Sequence, residues 1–472
     1  VRIDYLPHQV TGRIATTTAA GIRRVCKEHP GDILTFLPGA GEIKDVARQL
    51  NDDPGIDKTI IAPLYGNLSQ KEQDQAIMPD PDGRRRIILS TSIAETSLTI
   101  EGIQCVVDSG WSRRSRFHPG SGLSRLTTIR VSKAAADQRA GRAGRLGPGY
   151  CLRLWTKEEQ YCLAPFHPPE IVDTDLAQLA LELALWGVQD PAELRWLTPP
   201  RQGGYQQARE LLISLDALTS SGRITDTGRQ LASLAVHPRL GHMLLQGKKT
   251  GQASLACDLA ALLSERDILR NNTDNASADL QDRLNLISLW REKKAAALKD
   301  KGDDPGACRR VEKNSRTWLQ RMHERRKTSD PETAGLLLTF AYPDRIARRR
   351  HGQHESYLLS SGRGAKLPKF DPLSINEYLV VPKLDAGSKQ GRIFLAASLS
   401  LAELRRQHSS LFSQSKAVYW NNDTRKVIAV ERLCLGDIVV EEQPAKKASP
   451  EQVTQALLGG IRTMGIRSLP WG

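Results

Sequence analysis

Short apolar runs alternate with amphipathic segments along the first third of the chain. Runs such as Ile33–Leu37, Ile87–Leu89 and Cys105–Val107 are bounded by turn-forming residues, a pattern typical of strands buried on both faces of a sheet. The pattern predicts strands near residues 33–37, 59–64, 86–91, 104–108 and 150–155, and helices near residues 11–28, 41–50, 69–77 and 133–141. This alternation predicts an α/β domain with a parallel sheet over residues 1–155.

The stretch Arg116–Arg130 interrupts this alternation. Pro119, Gly120 and Gly122 lie between polar and β-branched segments, which predicts a β-hairpin that projects from the domain. A plain surface loop would have the same Gly and Ser content, so both interpretations stay open.

Three further regions follow, each with a different pattern. Residues 156–233 combine a helical stripe within Leu176–Ala184, a second helix, and a tight turn with a short strand at Ser221–Ile224, which favours a winged-helix-like region. Residues 234–342 are predicted to form a helical bundle. Residues 343–472 are rich in short strands before a final helix, which predicts a small β-rich barrel of the OB type.

The sequence QRAGRAGR at Gln138–Arg145 is the strongest candidate for chemistry. Gln138, Arg142 and Arg145 are three or four residues apart and would share one helix face, and small residues such as Gly141 leave room for another surface. Arginine matches phosphate geometry bidentately and keeps its charge. Such a row suits a triphosphate under cleavage, where an arginine finger contributes about 10³–10⁵ in rate. A solvated basic face is the alternative, although it would not require glycines, each of which costs a helix about 1 kcal/mol.

Hydroxyl side chains cluster directly after the strand predicted at residues 86–91. They are Ser90, Thr91, Ser92, Thr96, Ser97 and Thr99. Open α/β sheets bind ligands at the carboxyl ends of their strands, and hydroxyls there can hold nucleic-acid phosphates without reading bases. Helix capping is the alternative role for the same residues.

Basic side chains cluster at the start of the predicted barrel. They are Arg345, Arg348, Arg349 and Arg350. OB-like barrels bind single strands through a basic groove and stacked aromatic rings. Because only 5% of the residues are aromatic, backbone electrostatics is expected to outweigh stacking. The nearest aromatic residues, Tyr357 and Phe370, are expected in the core.

Charge and cysteine usage narrow the class of protein. The 472 residues carry a formal net charge of +14, which favours a polyanionic partner. The seven cysteines are scattered without a CxxC pair, which argues against a zinc site or a disulfide framework and favours a reducing compartment. No apolar run reaches the length of a membrane span. We expect a cytoplasmic protein, taken as a monomer, without a metal site of its own.

The sequence contains no phosphate-binding loop of the Walker A type. The nearest candidate, Gly241–Lys249, has one residue too many between its glycines and places Lys249 where Ser or Thr must hold Mg²⁺. No acidic DEAH box occurs either. A complete ATP site is therefore not predicted from this chain alone.

Several segments resemble the motifs of DEAH-type superfamily 2 helicases, in the order in which that family has them. ILTFLPGAGEI at Ile33–Ile43 resembles motif IV, STSIAETSLTIEGI at Ser90–Ile103 resembles motif V, and QRAGRAGR resembles motif VI. LYGNLSQKEQDQAI at Leu64–Ile77 is similar to the strand and helix after motif IV. Farther on, PDRIARRR at Pro343–Arg350 and YLLSSGRGAKL at Tyr357–Leu367 resemble the bacterial HrpB-type branch.

The resemblance implies a RecA-like fold for the first domain of this chain. In the family a first RecA-like domain, carrying the Walker A loop and the DEAH box, precedes the one seen here. We therefore expect a fragment that lacks that domain and is inactive by itself. The implied cofactor is ATP with Mg²⁺, the ion being held mainly by the absent domain in cis. The implied partner is single-stranded RNA, or DNA.

The resemblance also implies roles for individual residues. Gln138 would touch the γ-phosphate region, and Arg142 and Arg145 would stabilise transition-state charge. The implied nucleotide contacts are Glu101 near the ribose, Ser97 and Gly141. The implied strand contacts are Gly39, Thr91, Ser92, Thr96 and Thr99, to which the basic barrel adds Arg348 and Arg349. The alternative is a non-enzymatic nucleic-acid-binding scaffold that keeps the fold and has lost the motor.

Overall fold

A computed structural model describes residues 1–53, 56, 59–66, 68, 70–96, 100–118, 123–265, 267–269, 277–293, 305–328, 330–385, 390–422, 424–445 and 448–465. The chain divides into two compact units, the first comprising Val1–Phe117 with Arg125–Thr174, and the second His118–Ser124 with Asp175–Gly472.

The first unit is built on a six-stranded parallel sheet. The six strands of the sheet are β1 (Arg2–Tyr5), β2 (Asp32–Phe36), β3 (Thr59–Leu64), β4 (Arg85–Ser90), β5 (Ile103–Asp108) and β8 (Tyr150–Arg153). The paired strands β6 (Trp111–His118) and β7 (Leu123–Arg130) lie between β5 and β8 along the chain. The helices of the first unit are α1 (Ile14–Glu28), α2 (Ala40–Asn51), α3 (Gln70–Ile77), α4 (Ile93–Thr96), α5 (Lys133–Gly141) and α6 (Lys157–Cys162). The strand order in the sheet is β1-β8-β5-β2-β4-β3, and the predicted hairpin is the separate pair β6-β7.

Apolar side chains fill both faces of this sheet. Along β2, Ile33 belongs to the cluster on one face and Leu34 to the cluster on the other, as the two-residue period of a strand requires. Val106 and Val107 divide in the same way along β5. The prediction of a parallel sheet covered on both sides is confirmed.

The helices of the second unit follow in sequence. They are α7 (Ala177–Leu185), α8 (Gln202–Ser214), α9 (Asp226–Leu234), α10 (Pro238–Lys249), α11 (Ala253–Ser264), α12 (Leu280–Lys293), α13 (Pro305–Arg321) and α14 (Ala334–Ala341). Thr225 caps α9 by accepting a 3.0 Å hydrogen bond from the Gly228 amide. Helix α10 lies in the region predicted to form a helical bundle, and it contains Gly241 and Gly247. A Cβ at Gly247 would lie 2.5 Å from the Cβ of Ala256 in α11, so the glycine permits close helix packing.

The β-rich end of the second unit begins with a closed barrel of five strands. Its strands are β9 (Ile346–Arg349), β10 (Ser356–Leu359), β11 (Gly364–Lys366), β12 (Tyr378–Leu384) and β13 (Gln390–Ser398). Helix α15 (Leu401–Gln407) leads to the antiparallel strands β14 (Phe412–Asn421), β15 (Lys426–Leu435) and β16 (Ile438–Pro444), and then to helix α16 (Pro450–Met464). The predicted β-rich barrel region is confirmed, whereas its assignment to the OB class stays a prediction.

The two aromatic residues expected in the barrel core differ in their surroundings. Tyr357 is fully buried in the barrel core, as predicted. The prediction for Phe370 is wrong, because its side chain is 89% exposed. Phe370 has a φ of +60° at a turn, and the chain directs the next residues, Asp371 and Leu373, inward instead.

In the part of the chain that the structure describes, no helix combines the length and apolarity needed to cross a bilayer.

Candidate functional site

The motif VI segment begins with a firmly anchored helix, α5. Ser132 caps the helix by accepting a 3.2 Å hydrogen bond from the Ala135 amide. The next two amides, of Lys133 and Ala134, donate to the carbonyls of Ala164 and Pro165 at 2.8 and 3.1 Å. The loop after α6 therefore satisfies amides that a helix start leaves without partners.

The same loop also places a histidine, His167, against the start of α5. The Ser132 amide donates to Nε2 of His167 at 3.3 Å. Burial, together with the charges of Arg114 and Arg139, lowers the pKa of His167. This favours the neutral ring, whose nitrogen can accept the hydrogen bond.

Arg139 is the centre of a buried ionic network that ties α5 to the sheet. Its side chain is 1% exposed, and Nη1 donates to Oδ1 of Asp108 at 2.9 Å while Nε donates to Oε2 of Glu95 at 3.1 Å. Nη1 also reaches the Trp111 carbonyl at 3.2 Å, and the guanidinium lies 4.9 Å from the ring centroid of Phe36. Burial opposes the charge, but Asp108 and Glu95 outweigh it and raise the pKa of Arg139.

Arg139 was not among the site residues predicted from the sequence. The available signal was its position among Ala136, Ala140 and Ala143, which are buried on the inward side of the segment. An arginine on that side requires a carboxylate partner, and Asp108, at the end of a buried strand, was the candidate.

Arg142 and Arg145 follow the end of α5. The chain continues as one 3-10 turn, Arg142–Gly144, after Gly141. Arg142 is 7% exposed, and its Nη2 donates to the main-chain carbonyl of Glu95. Burial lowers the pKa of Arg142, the charge of Arg145 adds to this, and Glu95 acts in the opposite direction. Arg145 is exposed, so the two predicted fingers have different environments.

Gln138 and Gly141 lie on the outer surface of the same segment. Both residues are exposed. A Cβ built at Gly141 would meet nothing within 4 Å. The surface in front of this position is therefore open to an approaching group.

Two parts of the candidate nucleotide site lie toward the amino edge of the sheet. Glu101 is exposed in the turn before β5, and its carbonyl accepts a 2.5 Å hydrogen bond from Arg86 Nη2. The Arg142–Gly144 turn reaches the same edge, since a Cβ at Gly144 would lie 2.5 Å from the side chain of Val1, just before β1. Ser97 lies outside the described residues.

The candidate residues for binding a nucleic-acid strand lie at the opposite edge of the sheet, where the β-strands have their carboxyl ends. Gly39 follows β2 at the start of α2, and Thr91 follows the neighbouring strand β4. Thr91 is half-buried, whereas Ser92 and Thr96 are exposed. A Cβ at Gly39 would come within 2.5 Å of Arg113 Nη1, so the absence of a side chain lets that arginine pack over the turn. Thr99, like Ser97, falls outside the described residues.

Glu95 connects the candidate nucleotide residues to the candidate residues for binding a nucleic-acid strand. It lies in α4, between Ser92 and Thr96, so it shares one helical turn with the candidate strand residues. Its carboxylate accepts from Arg139 and its carbonyl accepts from Arg142. A displacement of Arg142 would therefore act directly on the turn that carries the hydroxyls.

Arg348 and Arg349 are engaged within the second unit. Arg348 bonds to Oε1 of Glu377 at 2.9 Å and to the Val439 carbonyl at 2.5 Å. Arg349 Nη1 donates to the carbonyls of Ser374 and Ile375 at 2.7 and 3.3 Å. Both guanidinium groups thus hold neighbouring segments in place, a role that the sequence did not indicate.

Comparison with family models matches two regions of the chain. Residues 17–147 match the helicase conserved C-terminal domain. Residues 208–236 match the winged-helix part of the helicase associated domain, HA2. The first match includes all the candidate nucleotide residues and all the candidate residues of the first unit for binding a nucleic-acid strand.

Relatives align over much or all of the chain. The ATP-dependent RNA helicase HrpB of Escherichia coli is 38% identical over 469 residues, which are 99% of this chain and 54% of that protein. The ATP-dependent RNA helicase HrpA of the same organism is 35% identical over 57% of this chain and 22% of its own length. A probable ATP-dependent RNA helicase, the DHX35 homolog of Caenorhabditis elegans, is 35% identical over 51% of this chain and 34% of its length.

Solved structures agree with the sequence matches. Two crystal structures of E. coli HrpB, described as a DExH-box NTPase and as a DEAH/RHA helicase, superpose with TM-scores of 0.79 and 0.81 at 37% identity. They cover 100% of this chain and 55% and 56% of theirs, so the chain spans about half the length of HrpB. The motif order, the fold and these matches agree, and the chain belongs to the DEAH/RHA family of superfamily 2 helicases.

Proposed function

We propose that this chain supplies the second RecA-like motor domain and the following domains of an ATP-dependent helicase or translocase that acts on single-stranded nucleic acid, with RNA as the expected substrate. The names of the relatives, which are ATP-dependent RNA helicases, support this. The observation that carries the proposal is the buried network of Arg139, Glu95 and Asp108. It fixes the arginine-bearing end of α5 against the turn that carries the motif V hydroxyls. The proposed domains are residues 1–155, 156–233, 234–342 and 343–472.

The proposed nucleotide site is one half of an interdomain site. Gln138 would contact the γ-phosphate region, while Arg142 and Arg145 would stabilise negative charge that develops during cleavage. The amino edge would also present Glu101 to the ribose, with Gly141 and Ser97 as further contacts. A first RecA-like domain would supply the phosphate-binding loop and hold Mg²⁺, which offsets phosphate charge when bound.

The proposed strand site is the carboxyl edge of the sheet. Thr91, Ser92, Thr96 and Thr99 would donate hydroxyl hydrogen bonds to backbone phosphates, and the glycine turn at Gly39 would let the strand approach closely. These contacts carry no base information, so little sequence preference is expected.

Glu95 is the proposed link between hydrolysis and the strand. Loss of the γ-phosphate would change the charge that Arg142 faces, and Arg142 bonds to the Glu95 carbonyl. The movement would pass to Ser92 and Thr96 through the single turn of α4. Closing and opening of two motor domains would then advance the strand.

One observation favours the alternative of a non-enzymatic strand-binding scaffold. Arg142 is 7% exposed and donates to a main-chain carbonyl, as a purely structural arginine would. A scaffold would bind strands but would have no need of an arginine finger such as that proposed for Arg145. Hydrolysis by the longer protein, measured with each arginine replaced, separates the two functions.

We expect no significant ATPase activity from the 472-residue chain alone, with or without RNA. The reason is that the sequence contains no Walker A loop to cradle the β- and γ-phosphates. Phosphate release by the natural chain should not exceed that of an Arg142→Ala preparation made in the same way, which measures contaminating ATPase. Turnover that is present in the natural chain and lost in Arg142→Ala would contradict this expectation.

Strand binding by the chain should be weak, tolerant of sequence and strongly dependent on salt. The +14 net charge supplies phosphate contacts, and each phosphate neutralised on a single strand contributes about 0.7 to the slope of log affinity against log salt. Arg350 lines a cavity beside the barrel and is exposed, so Arg350→Ala should lower the slope by about that amount without unfolding the barrel.

The measurement is fluorescence anisotropy with oligo-U and mixed-sequence oligomers at several salt concentrations. Arg195→Ala, which removes an exposed arginine outside the barrel, is the matched control. Salt-independent binding, or strong preference for one sequence, would show that the chain reads bases rather than phosphates.

A further inference from the structure

The connection between β11 and β12 presents two apolar side chains to solvent. Phe370 is 89% exposed and Ile375 is 80% exposed, whereas Leu373 between them is buried in the barrel core. Phe370 also has a φ of +60°, a left-handed conformation that an L-residue with a bulky side chain adopts only at a cost. Backbone strain of this kind concentrates at functional sites.

This tip, defined as Phe370–Ile375, is held rigidly from beneath. Asp371 is 3% exposed, and its carboxylate accepts hydrogen bonds from the amides of Leu373 at 2.9 Å and of Ala278 at 2.7 Å. The Tyr357 hydroxyl donates to the carbonyls of Leu373 and Asn376 at 3.2 and 2.9 Å. The exposure of Phe370 is therefore enforced by the surrounding structure, and binding there would cost little ordering of the chain.

A basic cavity adjoins the tip. The cavity has a volume of 660 Å³, and its lining includes Arg349, Arg350, His351 and His354. Arg349 joins the two features, because its guanidinium donates to the carbonyls of Ser374 and Ile375. On the other side, the Phe370 amide donates to Glu355, the residue after His354, at 3.4 Å.

The local charges suit a polyanion. Of the nearby carboxylates, Glu377 pairs with Arg348 at 2.9 Å and Glu355 pairs with Lys366 at 3.5 Å. Arg350 and Lys369 are exposed beside them. The remaining acidic residue of the cavity lining is Asp437.

We propose that Phe370 is a stacking platform for one base of a single strand, whose neighbouring phosphates lie against Arg350 and Lys369. An exposed ring suits any base, since every base has a π-face, while basic side chains hold the backbone. This inference rests on the strand binding in the proposed function and adds a stacking contact on the barrel to it. It also reassigns the main barrel contacts from Arg348 and Arg349, which hold neighbouring loops, to Phe370, Arg350 and Lys369.

The first test replaces Phe370 in the 472-residue chain and measures affinity for oligo-U by anisotropy. Phe370→Ala should weaken binding roughly 5- to 140-fold, the range that loss of one stacked base gives. Phe370→Trp should bind at least as tightly as the natural chain, with added tryptophan quenching on titration, and Phe370→Leu should behave like Phe370→Ala. Tyr161→Ala, which removes a 78% exposed aromatic ring from α6, should leave affinity unchanged.

A second variant separates stacking from folding. Phe370→Gly should keep or raise the melting temperature, because glycine adopts positive φ without the steric cost, while strand affinity falls as it does in Phe370→Ala. A lowered melting temperature accompanied by lost binding would show a structural role and overturn the inference.

The other outcomes are equally decisive. If the natural chain binds strands and Phe370→Ala binds them equally well, the stacking inference is wrong while the proposed function stands. The exposed tip would then be a surface for a protein partner. Full binding by Phe370→Leu would replace stacking by a plain apolar contact. Failure of the natural chain to bind any strand would contradict the proposed strand binding, and this inference with it.

Discussion

Replacing Arg142 or Arg145 by alanine in a longer protein that also contains the first motor domain should lower kcat for RNA-stimulated ATP hydrolysis by about 10³-fold or more. The loss should fall on kcat, because a finger acts on charge that appears only in the transition state. Strand affinity should barely change, since neither arginine is among the proposed contacts to the nucleic-acid strand. Steady-state ATPase assays and strand titrations on the same preparations measure both quantities.

Substitution by lysine should restore different amounts of activity at Arg142 and Arg145. Lysine keeps the charge but loses the planar fork, so Arg145→Lys should recover little activity. Arg142→Lys should recover still less, because one ammonium cannot serve both the Glu95 carbonyl and a phosphate as the separated nitrogens of a guanidinium can. Arg24→Ala, which removes an exposed arginine from α1 of the same unit, should retain full activity. Equal losses of kcat and of strand affinity would instead identify Arg142 and Arg145 as strand contacts.

Replacing Arg139 by alanine should destabilise the first unit by about 3–5 kcal/mol, the cost of leaving a buried charge without its partner. The fully buried carboxylate of Asp108 would lose its guanidinium, and Glu95 would lose its anchor to α5. Amides of β5 that exchange only when the first unit unfolds should lose protection roughly 10²- to 4 × 10³-fold. Hydrogen exchange on the whole chain measures this for the first unit separately.

Arg145→Ala is the matched control for Arg139→Ala. It removes the same charge six residues farther along, from an exposed position, and should leave the protection of β5 unchanged. The pair would thus separate a residue that positions the motif from one that acts on the nucleotide. Equal protection in Arg139→Ala and in the natural chain would show that the network is dispensable.

The sheet was predictable because its strands are buried on both faces. The predicted run Ile33–Leu37 and the observed strand β2 differ by one residue at each end. Strand β1 was not predicted, since the alternating polar residues of Arg2–Tyr5 carry no buried run and the strand lies at the sheet edge. The pattern therefore identified the interior strands and the apolar edge strand β3, and missed the polar edge strand β1.

The contacts that organise the candidate site were not predictable from the sequence. Arg139 depends on Asp108 and Glu95, which are 31 and 44 residues away along the chain. The turn at Phe370 depends on Asp371 and Ala278, which are 93 residues apart. Local spacing reports which side chains share a helix face, but the partner of a buried charge is set by tertiary folding.

Affinity for a transition-state analogue shows whether Arg142 and Arg145 act on the phosphoryl group in transfer. The longer protein should bind ADP with aluminium fluoride and Mg²⁺ at least 100-fold less tightly when Arg142 or Arg145 is alanine, while its affinity for ADP alone changes less than about threefold. That difference is expected only if these arginines complete the site for the phosphoryl group in transfer. Equal changes in affinity for ADP and for the analogue would contradict the account, because they would make the arginines general nucleotide contacts or structural residues.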